Sequence, residues 1–120
     1  MSPNLVKQAS CAMITSTCPS ACPIQSYQIS GTGENNNVSI AFLTVGNPSN
    51  PVLLLVHGNG ATADSWRGVM CEMMSTYFVV APYRRGTSPS DQPNTGFPLV
   101  DYSLSATAAD FKIVLQYLGV

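Results

Sequence analysis

The chain has 120 residues, enough for one domain or part of one, and 45% of them are hydrophobic while only 9% are charged. Five basic residues against six acidic ones give a net charge of −1, which excludes the basic footprint that nucleic-acid binding requires. The longest apolar run, residues 52–56, is far shorter than the ~18 residues of a membrane helix, so no membrane partner is expected. No secretory-signal or transmembrane pattern is found, which favours a cytoplasmic location.

Residues 1–23 differ in character from the rest of the chain. They are rich in Ser, Thr and Pro and show no periodicity, so we expect a mobile N-terminal tail followed by a domain over residues 24–120. Three of the four cysteines, Cys11, Cys18 and Cys22, lie in this tail. Their spacing does not match the paired C-x-x-C of a zinc site, so no metal is expected and they are interpreted as exposed thiols, with a disulfide or metal role left open.

The first predicted strands cover residues 26–29 and 38–45. The Gly- and Asn-rich residues between them, 30–37, tolerate positive φ and are typical of a turn. Alternate residues of the second strand point to opposite sides, so at least one of its faces should be buried. The two sets are Val38, Ile40 and Phe42 (with Thr44), and Ser39, Ala41, Leu43 and Val45. The continuous apolar run at residues 52–56 then predicts a strand covered on both faces.

A helix and a further strand follow the turn at residues 57–60. Asp64 or Ser65 is the candidate N-cap of the helix. Apolar residues recur three and four positions apart along it, which predicts one buried face made of Trp66, Val69, Met70, Met73 and Met74, with Tyr77. Cys71 lies in the same helix and is predicted to be a small core residue. Residues 77–81 are a second buried strand, so strand, helix and strand predict a βαβ unit with parallel strands.

Residues 83–102 show no periodicity, and a connection of this length is usually functional or mobile. A last helix begins at Ser103 or Ser105 and ends at Gly119. Its predicted apolar face is formed by Phe111, Val114, Leu115 and Leu118. The order of elements predicts the α/β class with a mixed sheet.

Two motifs in this order resemble the α/β-hydrolase family. Residues 51–60 with Trp66 resemble its H-G-x-x-x-x-x-x-x-W segment after the third strand, and residues 81–91 resemble its A-P-D-x-R-G-x-G-x-S-D segment after the fourth. The resemblance covers about residues 26–120 and extends to the helix that precedes the nucleophile strand. It implies a partial α/β-hydrolase fold with flanking helices and a mixed, mostly parallel sheet, whose first four strands are ordered 1-2-4-3.

The resemblance also implies a site. The backbone N–H of Asn59 would be one oxyanion-hole donor, while His57, Gly58 and Gly60 would lie on the substrate side of the same turn. The two glycines would let the backbone approach the substrate closely. An Asn at this position offers its side chain in dehalogenase-like members, so the Asn59 amide is a candidate contact for a leaving group. His57 is interpreted as orienting the loop, because the family's catalytic base comes from a late loop.

The second motif departs from the family at two positions. Tyr83 stands where the family usually has Asp, and Ser88 where it usually has Gly. Neither position is catalytic in the family, so the departures concern the packing of the loop. Arg85 and Asp91 are expected to make internal hydrogen bonds in this loop rather than bind substrate.

The 120 residues contain no G-x-S-x-G nucleophile elbow, which the family would place after Val120. The resemblance therefore implies a hydrolase of small-molecule esters, amides, epoxides or similar bonds, without a cofactor. Because nucleophile, acid and base are not among these residues, the chain alone is expected to be inactive. In a four-stranded sheet the strand at 52–56 would be an exposed edge, which predicts self-association or pairing with another chain.

Two other classes of function remain open. Residues 58–63 fit the G-x-G-x-x-A pattern of a dinucleotide-binding turn, and Arg84 and Arg85 follow the next strand, where an NADP 2′-phosphate would be read. Against this, two strands precede the turn, whereas such a module normally starts with that strand. The third class is a non-catalytic fragment that binds another protein through its strand edge.

Overall fold

The computed structural model of the chain describes residues 24–93 and 102–120. Its described strands are β1 (Gln25–Ile29), β2 (Ile40–Val45), β3 (Val52–Leu54) and β4 (Phe78–Pro82). The described α-helices are α1 (Arg67–Met73) and α2 (Leu104–Tyr117), and short 3-10 helices cover Gly33–Asn35 and Ala63–Trp66. The predictions for residues 1–23, including the three cysteines there, lie outside the described residues.

The four strands form one mixed sheet in the order β1-β2-β4-β3, as the resemblance implied. β3 and β4 are parallel, with Val52 opposite Phe78 and Leu54 opposite Val80, which confirms the βαβ unit. β1 and β2 are antiparallel, and so are β2 and β4. The mixed sheet is therefore confirmed, although only one of the three described strand pairs is parallel, because β2 runs opposite to both of its neighbours.

The two central strands form the core, and alternate residues of β2 serve its two faces. All six residues of β2 and all five of β4 are buried. One face packs against the crossover segment and the other against α2, so both sides of the sheet are covered here. The β2 and β4 residues of the first face are Ala41, Leu43, Val45, Val79 and Ala81, and those of the second are Ile40, Phe42, Phe78 and Val80.

β3 is an edge strand of the described sheet. Val52, Leu53 and Leu54 are only half-buried, and Val56 is 41% exposed. Leu53 and Leu55 pack on one face and Val52 and Leu54 on the other, so the predicted cover on both faces is present but incomplete. A strand with one neighbour loses the cover that a second neighbouring strand and its helix would provide.

The crossover from β3 to β4 begins with the 3-10 helix, and Thr62 caps it by accepting a hydrogen bond from Asp64 N at 3.2 Å. The sequence predicted Asp64 or Ser65 as the N-cap, and this prediction is wrong. Met70 is fully buried, whereas Val69 is 40% exposed. The tighter 3-10 turn rotates the start of α1, so the predicted apolar stripe is only partly buried.

Cys71 in α1 is half-buried and disulfide-bonded, and its partner lies outside the described residues. The prediction of an ordinary small core residue is therefore wrong. A half-exposed position on a short helix leaves the sulfur accessible to a second thiol.

Helix α2 begins after Ser103, whose hydroxyl accepts a hydrogen bond from Ala106 N at 3.1 Å, and it ends before Gly119, which has a φ of +77°. The predicted apolar face is confirmed at Val114 and Leu118, which are buried, and is wrong at Phe111 and Leu115, which are only half-buried. The buried residues at or near this helix are Thr107, Asp110, Ile113, Val114 and Leu118. The helix is rotated because the polar residue Asp110 faces the sheet.

Asp110 faces the sheet because it pairs with Arg85. Arg85 Nε and Nη2 donate to the two carboxylate oxygens of Asp110, both at 2.7 Å, and neither side chain is more than 1% exposed. Asn35 donates to Asp110 Oδ1 at 2.9 Å, and its carbonyl oxygen accepts from Arg85 Nη2 at 3.3 Å. A bidentate pair of this kind is short and directional. It connects the β1–β2 turn, the loop after β4 and α2.

We expect Asp110→Asn to destabilise the chain strongly, because it removes the carboxylate to which Arg85 Nε and Nη2 both donate in the interior. Breaking one partner of a buried pair costs about 3–5 kcal/mol, a large part of a typical stability of ~5–15 kcal/mol. Urea denaturation followed by circular dichroism measures the loss. Glu34→Gln is the matched control, since it removes an exposed pair with Lys112 at 3.9 Å and should cost less than about 1 kcal/mol. Equal losses in the two variants would contradict the assignment.

Candidate active site

The candidate site lies where the parallel strands β3 and β4 end. The carboxyl ends of parallel strands meet at one edge of a sheet, and the loops that follow them meet there too. Between these loops and the start of α2 lies a cavity of about 430 Å³. It is lined by His57, Gly58, Asn59, Gly60, Arg84, Arg85, Thr87, Tyr102, Leu104 and Thr107. The lining thus includes the four consecutive residues 57–60 that the sequence assigned to the site.

His57 joins the two loops. Its Nε2 accepts a hydrogen bond from the backbone N–H of Arg84 at 3.0 Å, so this nitrogen carries no proton. Nδ1 then carries the proton and donates it to the carbonyl oxygen of Gly58 at 2.9 Å. The ring is 4% exposed, and both nitrogens are used within the chain. This arrangement fits the interpretation of His57 as a residue that orients the turn.

Residues 58–61 form a turn closed by a hydrogen bond from Ala61 N to Gly58 O at 3.2 Å. Gly60 has a φ of +80°, a conformation that side chains with a Cβ rarely adopt. A Cβ added at Gly58 would meet no atom within 4 Å in the described structure. The space in front of Gly58 is therefore open, and packing within the described chain does not require a glycine there.

Asn59 is exposed at the tip of this turn. Its side-chain Oδ1 accepts a hydrogen bond from Arg84 Nη1 at 3.0 Å. Its backbone N–H donates to no acceptor among the described residues. The turn therefore offers a main-chain donor that remains free for a ligand.

The loop after β4 is held by backbone and hydroxyl contacts. Ser90 Oγ donates to Tyr83 O at 2.7 Å and accepts from Ala41 N at 2.8 Å. Asp91 accepts from Ser39 N at 2.8 Å and, through its carbonyl oxygen, from Gly86 N at 2.7 Å. Asp91 thus makes internal hydrogen bonds, as predicted. The described partners of Arg85 are Asp110 on α2 and Asn35 in the β1–β2 turn, so its described contacts tie this loop to two other parts of the fold.

Tyr83, one of the two departures from the family motif, has its own partner. It is 5% exposed, and its hydroxyl donates to Asp64 Oδ2 at 2.8 Å. Burial raises the pKa of Tyr83, and the hydrogen bond to Asp64 raises it further. Arg67 Nε donates to Asp64 Oδ1 at 2.7 Å, and this hydrogen bond is the main cause of a lowered pKa of the Asp64 carboxyl. The hydrogen bond from Tyr83 lowers the pKa of Asp64 further. The tyrosine therefore connects the loop after β4 to the crossover and stands next to the site without lining it.

The α/β-hydrolase motif did not place Arg84 or Thr107 at the candidate site. Arg84 directly follows β4, and this position beside the first turn was the available signal. Thr107 comes from α2, and its position depends on how that helix rotates about the Asp110 contact. A larger cavity of about 530 Å³ lies between β1 and α2, away from both motif loops, and its lining includes Gln28, Ile113 and Tyr117. It contains no charged side chain, so we place the candidate site in the smaller cavity.

A parallel strand–helix–strand unit with polar loops at the carboxyl ends of its strands defines an α/β protein with its site at that edge. Residues 51–120 match the family model described as alpha/beta hydrolase fold, and the match contains both motif segments. It covers 70 of the 120 residues, counted from residue 51 to residue 120. The chain belongs to the α/β hydrolase fold family.

Curated relatives match over part of their length. Epoxide hydrolase 4 from Mus musculus is 33% identical over 86 residues, which are 72% of this chain and 23% of that protein. The cis-3-alkyl-4-alkyloxetan-2-one decarboxylase from Xanthomonas campestris pv. campestris is 27% identical over 86 residues, 69% of this chain and 29% of that protein. The chain thus spans less than a third of the length of these relatives.

Solved structures share the fold. An epoxide hydrolase from Vigna radiata superposes with a TM-score of 0.68 and 26% identity, over 81% of this chain and 29% of that chain. A haloalkane dehalogenase from Bradyrhizobium elkani gives a TM-score of 0.66 at 21% identity, over 82% of this chain and 31% of that chain. No helix in the described part of the chain is long and apolar enough to cross a membrane.

The dinucleotide alternative is disfavoured by the contacts of Arg85. Its guanidinium is buried against Asp110, so it is not available to read a 2′-phosphate. Two strands also precede the G-x-G-x-x-A turn, and β2 lies antiparallel to β4. Both features agree with the hydrolase family.

We expect His57→Phe to loosen the contact between the two loops, because it keeps a ring but removes the acceptor of the Arg84 N–H. A buried donor without a partner costs about 1–3 kcal/mol, so hydrogen exchange at the Arg84 amide should accelerate about tenfold or more. His57→Gln, which restores a side-chain acceptor, should recover part of the protection. Unchanged exchange in His57→Phe would show that the ring nitrogen does not hold this amide.

Proposed function

We propose that this chain is the part of an α/β-hydrolase that supplies one main-chain donor to a developing oxyanion during hydrolysis of a small-molecule ester, amide, epoxide or similar bond. The donor is the backbone N–H of Asn59. His57, Gly58 and Gly60 shape the turn that presents it to the substrate. The proposal involves no cofactor.

The observation that carries the proposal is that the backbone N–H of Asn59 donates to no acceptor among the described residues. The turn that presents this N–H is held in place by His57. His57 anchors the turn through Gly58 O on one side and Arg84 N on the other. A donor that is already oriented does not have to reorganise when charge develops on the substrate, which is the condition for electrostatic stabilisation of a transition state. The open space at Gly58 leaves room for the reacting group to approach.

The proposed role is one part of a larger site. A second donor, a nucleophile, an acid and a base are needed for turnover, and no G-x-S-x-G elbow occurs in these 120 residues. Without a triad, an oxyanion hole alone retains only a small part of the catalysis. A polypeptide of residues 1–120 should therefore not hydrolyse an activated ester above the rate of the buffer.

The donor can be tested in a chimera in which residues 51–120 replace the aligned segment of mouse epoxide hydrolase 3. That relative is 31% identical over 87 residues. An amide-to-ester change at Asn59, made with the α-hydroxy analogue of asparagine, removes the N–H and keeps the side chain. We expect kcat on an epoxide substrate to fall about 100- to 1,000-fold, the usual effect of losing one such donor.

The matched control is the same backbone change at Ala61. Its N–H lies in the same turn but donates to Gly58 O, so its loss should weaken the turn and reduce kcat less than about tenfold. Equal effects at the two positions would assign the loss to the turn and overturn the oxyanion role.

We also propose that the β3 edge mediates self-association or pairing with another chain. β3 has one neighbour in the described sheet, and Leu55 N bonds to Val80 O at 2.8 Å. Successive N–H groups of a strand point in opposite directions, so the N–H of Leu54 faces the free edge. An unpaired edge rich in Val and Leu, without a charged residue, is a template for another strand.

Leu54→Pro removes that outward N–H while leaving the contacts to β4, and Leu54→Ala loses similar side-chain packing while keeping the N–H. If the edge pairs, Leu54→Pro should weaken self-association about tenfold relative to Leu54→Ala, since backbone hydrogen bonds contribute about 0.5–1.5 kcal/mol each. Sedimentation equilibrium of the two variants measures the difference. Identical association constants would rule out pairing through this edge.

A further inference from the structure

The basic side chains of the described chain are not equivalent. Arg67 pairs with Asp64 at 2.7 Å, Arg85 with Asp110 at 2.7 Å, and Lys112 with Glu34 at 3.9 Å. Arg84 is the exception among the described cations, because it contacts the neutral amide of Asn59 and no described carboxylate.

The contact between Arg84 and Asn59 fixes how the asparagine amide is turned. A guanidinium has only donors, so the amide oxygen of Asn59 must face it, and the amide nitrogen is left over. This Nδ2 has no acceptor among the described residues. Arg84 and Asn59 therefore present a charged fork and an amide donor beside the free main-chain N–H of residue 59.

No aspartate or glutamate occurs among the described residues that line this cavity. The charge of Arg85, which also lines it, is neutralised by Asp110. A concave wall with one unneutralised cation concentrates positive potential and attracts an anion. Arg84 also lines a neighbouring apolar groove of about 360 Å³, formed with Val56, Leu104, Ala108 and Phe111.

We propose that the site takes a substrate with an aliphatic chain that carries a carboxylate, and that Arg84 is the residue that recognises this carboxylate. The inference rests on the proposed hydrolase function, because it names the substrate class of the same site. The apolar groove receives the aliphatic part. Asn59 contributes its side-chain Nδ2 to the carboxylate and its backbone N–H to the reacting oxygen.

A carboxylate fits better than a phosphate. A guanidinium binds the two oxygens of a carboxylate side by side, and one cation balances one negative charge. A phosphate dianion would leave a charge without a partner in a cavity whose other described arginine is already paired. The motif places no fixed residue at position 84, so the fold does not require an arginine there.

The test uses hexanoate and the neutral, equally shaped hexanamide as probes of the 120-residue chain. Ligand-observed NMR measures both affinities and does not need a monomeric sample. We expect hexanoate to bind about tenfold more tightly than hexanamide, as for a hydrogen bond to a charged group. The preference should fall when salt is raised from 0.05 to about 0.5 M, because the pair is partly exposed.

Three variants assign the preference to Arg84. Arg84→Gln should abolish it, and Arg84→Lys, which keeps the charge but not the fork, should retain part of it. Asn59→Asp keeps Arg84 and the backbone N–H but places a carboxylate beside the guanidinium, so it should also abolish the preference. Arg67→Gln is the matched control, since it removes an exposed arginine outside the site and should leave the preference unchanged.

Equal binding of the two probes, or no binding of either, would overturn the inference. So would a preference that survives Arg84→Gln or one that Arg67→Gln removes equally. These outcomes are separable from the hydrolase role. A chimera that depends on the Asn59 N–H but shows no charge preference would retain the oxyanion donor and reject the carboxylate. Binding of hexanoate through Arg84, with a chimera insensitive to that N–H, would count against the oxyanion role alone.

Discussion

Parallel pairing of β3 with β4 places the ends of two strands, and hence residues 57 and 84, next to each other. The hydrogen bond from Arg84 N to His57 Nε2 uses that proximity to join the loops that follow the strands. The shape of the turn at residues 58–61, the freedom of the Asn59 N–H and the position of the Arg84 side chain all depend on this junction. A slip of one residue in the register of β3 would turn His57 to the other face of the sheet and separate the loops.

Two consecutive arginines have opposite environments for a simple geometric reason. Arg84 follows the end of β4, whereas Arg85 lies inside the turn that Thr87 N closes by donating to Arg84 O at 2.9 Å, so the backbone turns where the two side chains leave it. Arg85 is directed into the interior, where it donates to Asp110 and to the carbonyl oxygen of Asn35, and Arg84 is left at the mouth of the cavity. The buried pair holds α2 against the loop, and that contact places Leu104 and Thr107 in the cavity wall. The buried ion pair between Arg85 and Asp110 thus determines part of the shape of the candidate site.

The positions of the strands could be predicted from the sequence, because the apolar runs at residues 52–56 and 77–81 and the segment 38–45 mark them. The burial of the first run was overestimated, because β3 has one neighbour in the described sheet. The rotation of α2 could not be predicted, since it depends on a polar residue, Asp110, that is buried only because Arg85 meets it. The 3-10 turn before α1 similarly changed the buried face of that helix: Met70 and Met74 are buried, whereas Met73 is 36% exposed. At the site, the hydrolase motif placed residues 57–60 but leaves position 84 undefined. Only the alternative dinucleotide pattern had put Arg84 beside this turn, and its contact with Asn59 came from the structure.

The turn at residues 58–61 combines two glycines that differ in what they require. Gly60 needs to be glycine for its own backbone, because its φ is +80°. Gly58 has no such need, and a Cβ there would meet nothing in the described chain. Gly33 and Gly68 have equally open surroundings, so it is the position of Gly58 beside the candidate cavity that makes its open space relevant to a substrate. The donor at Asn59 and the cation at Arg84 flank that open space, so in our proposal one gap would receive both the reacting bond and the charge of the substrate.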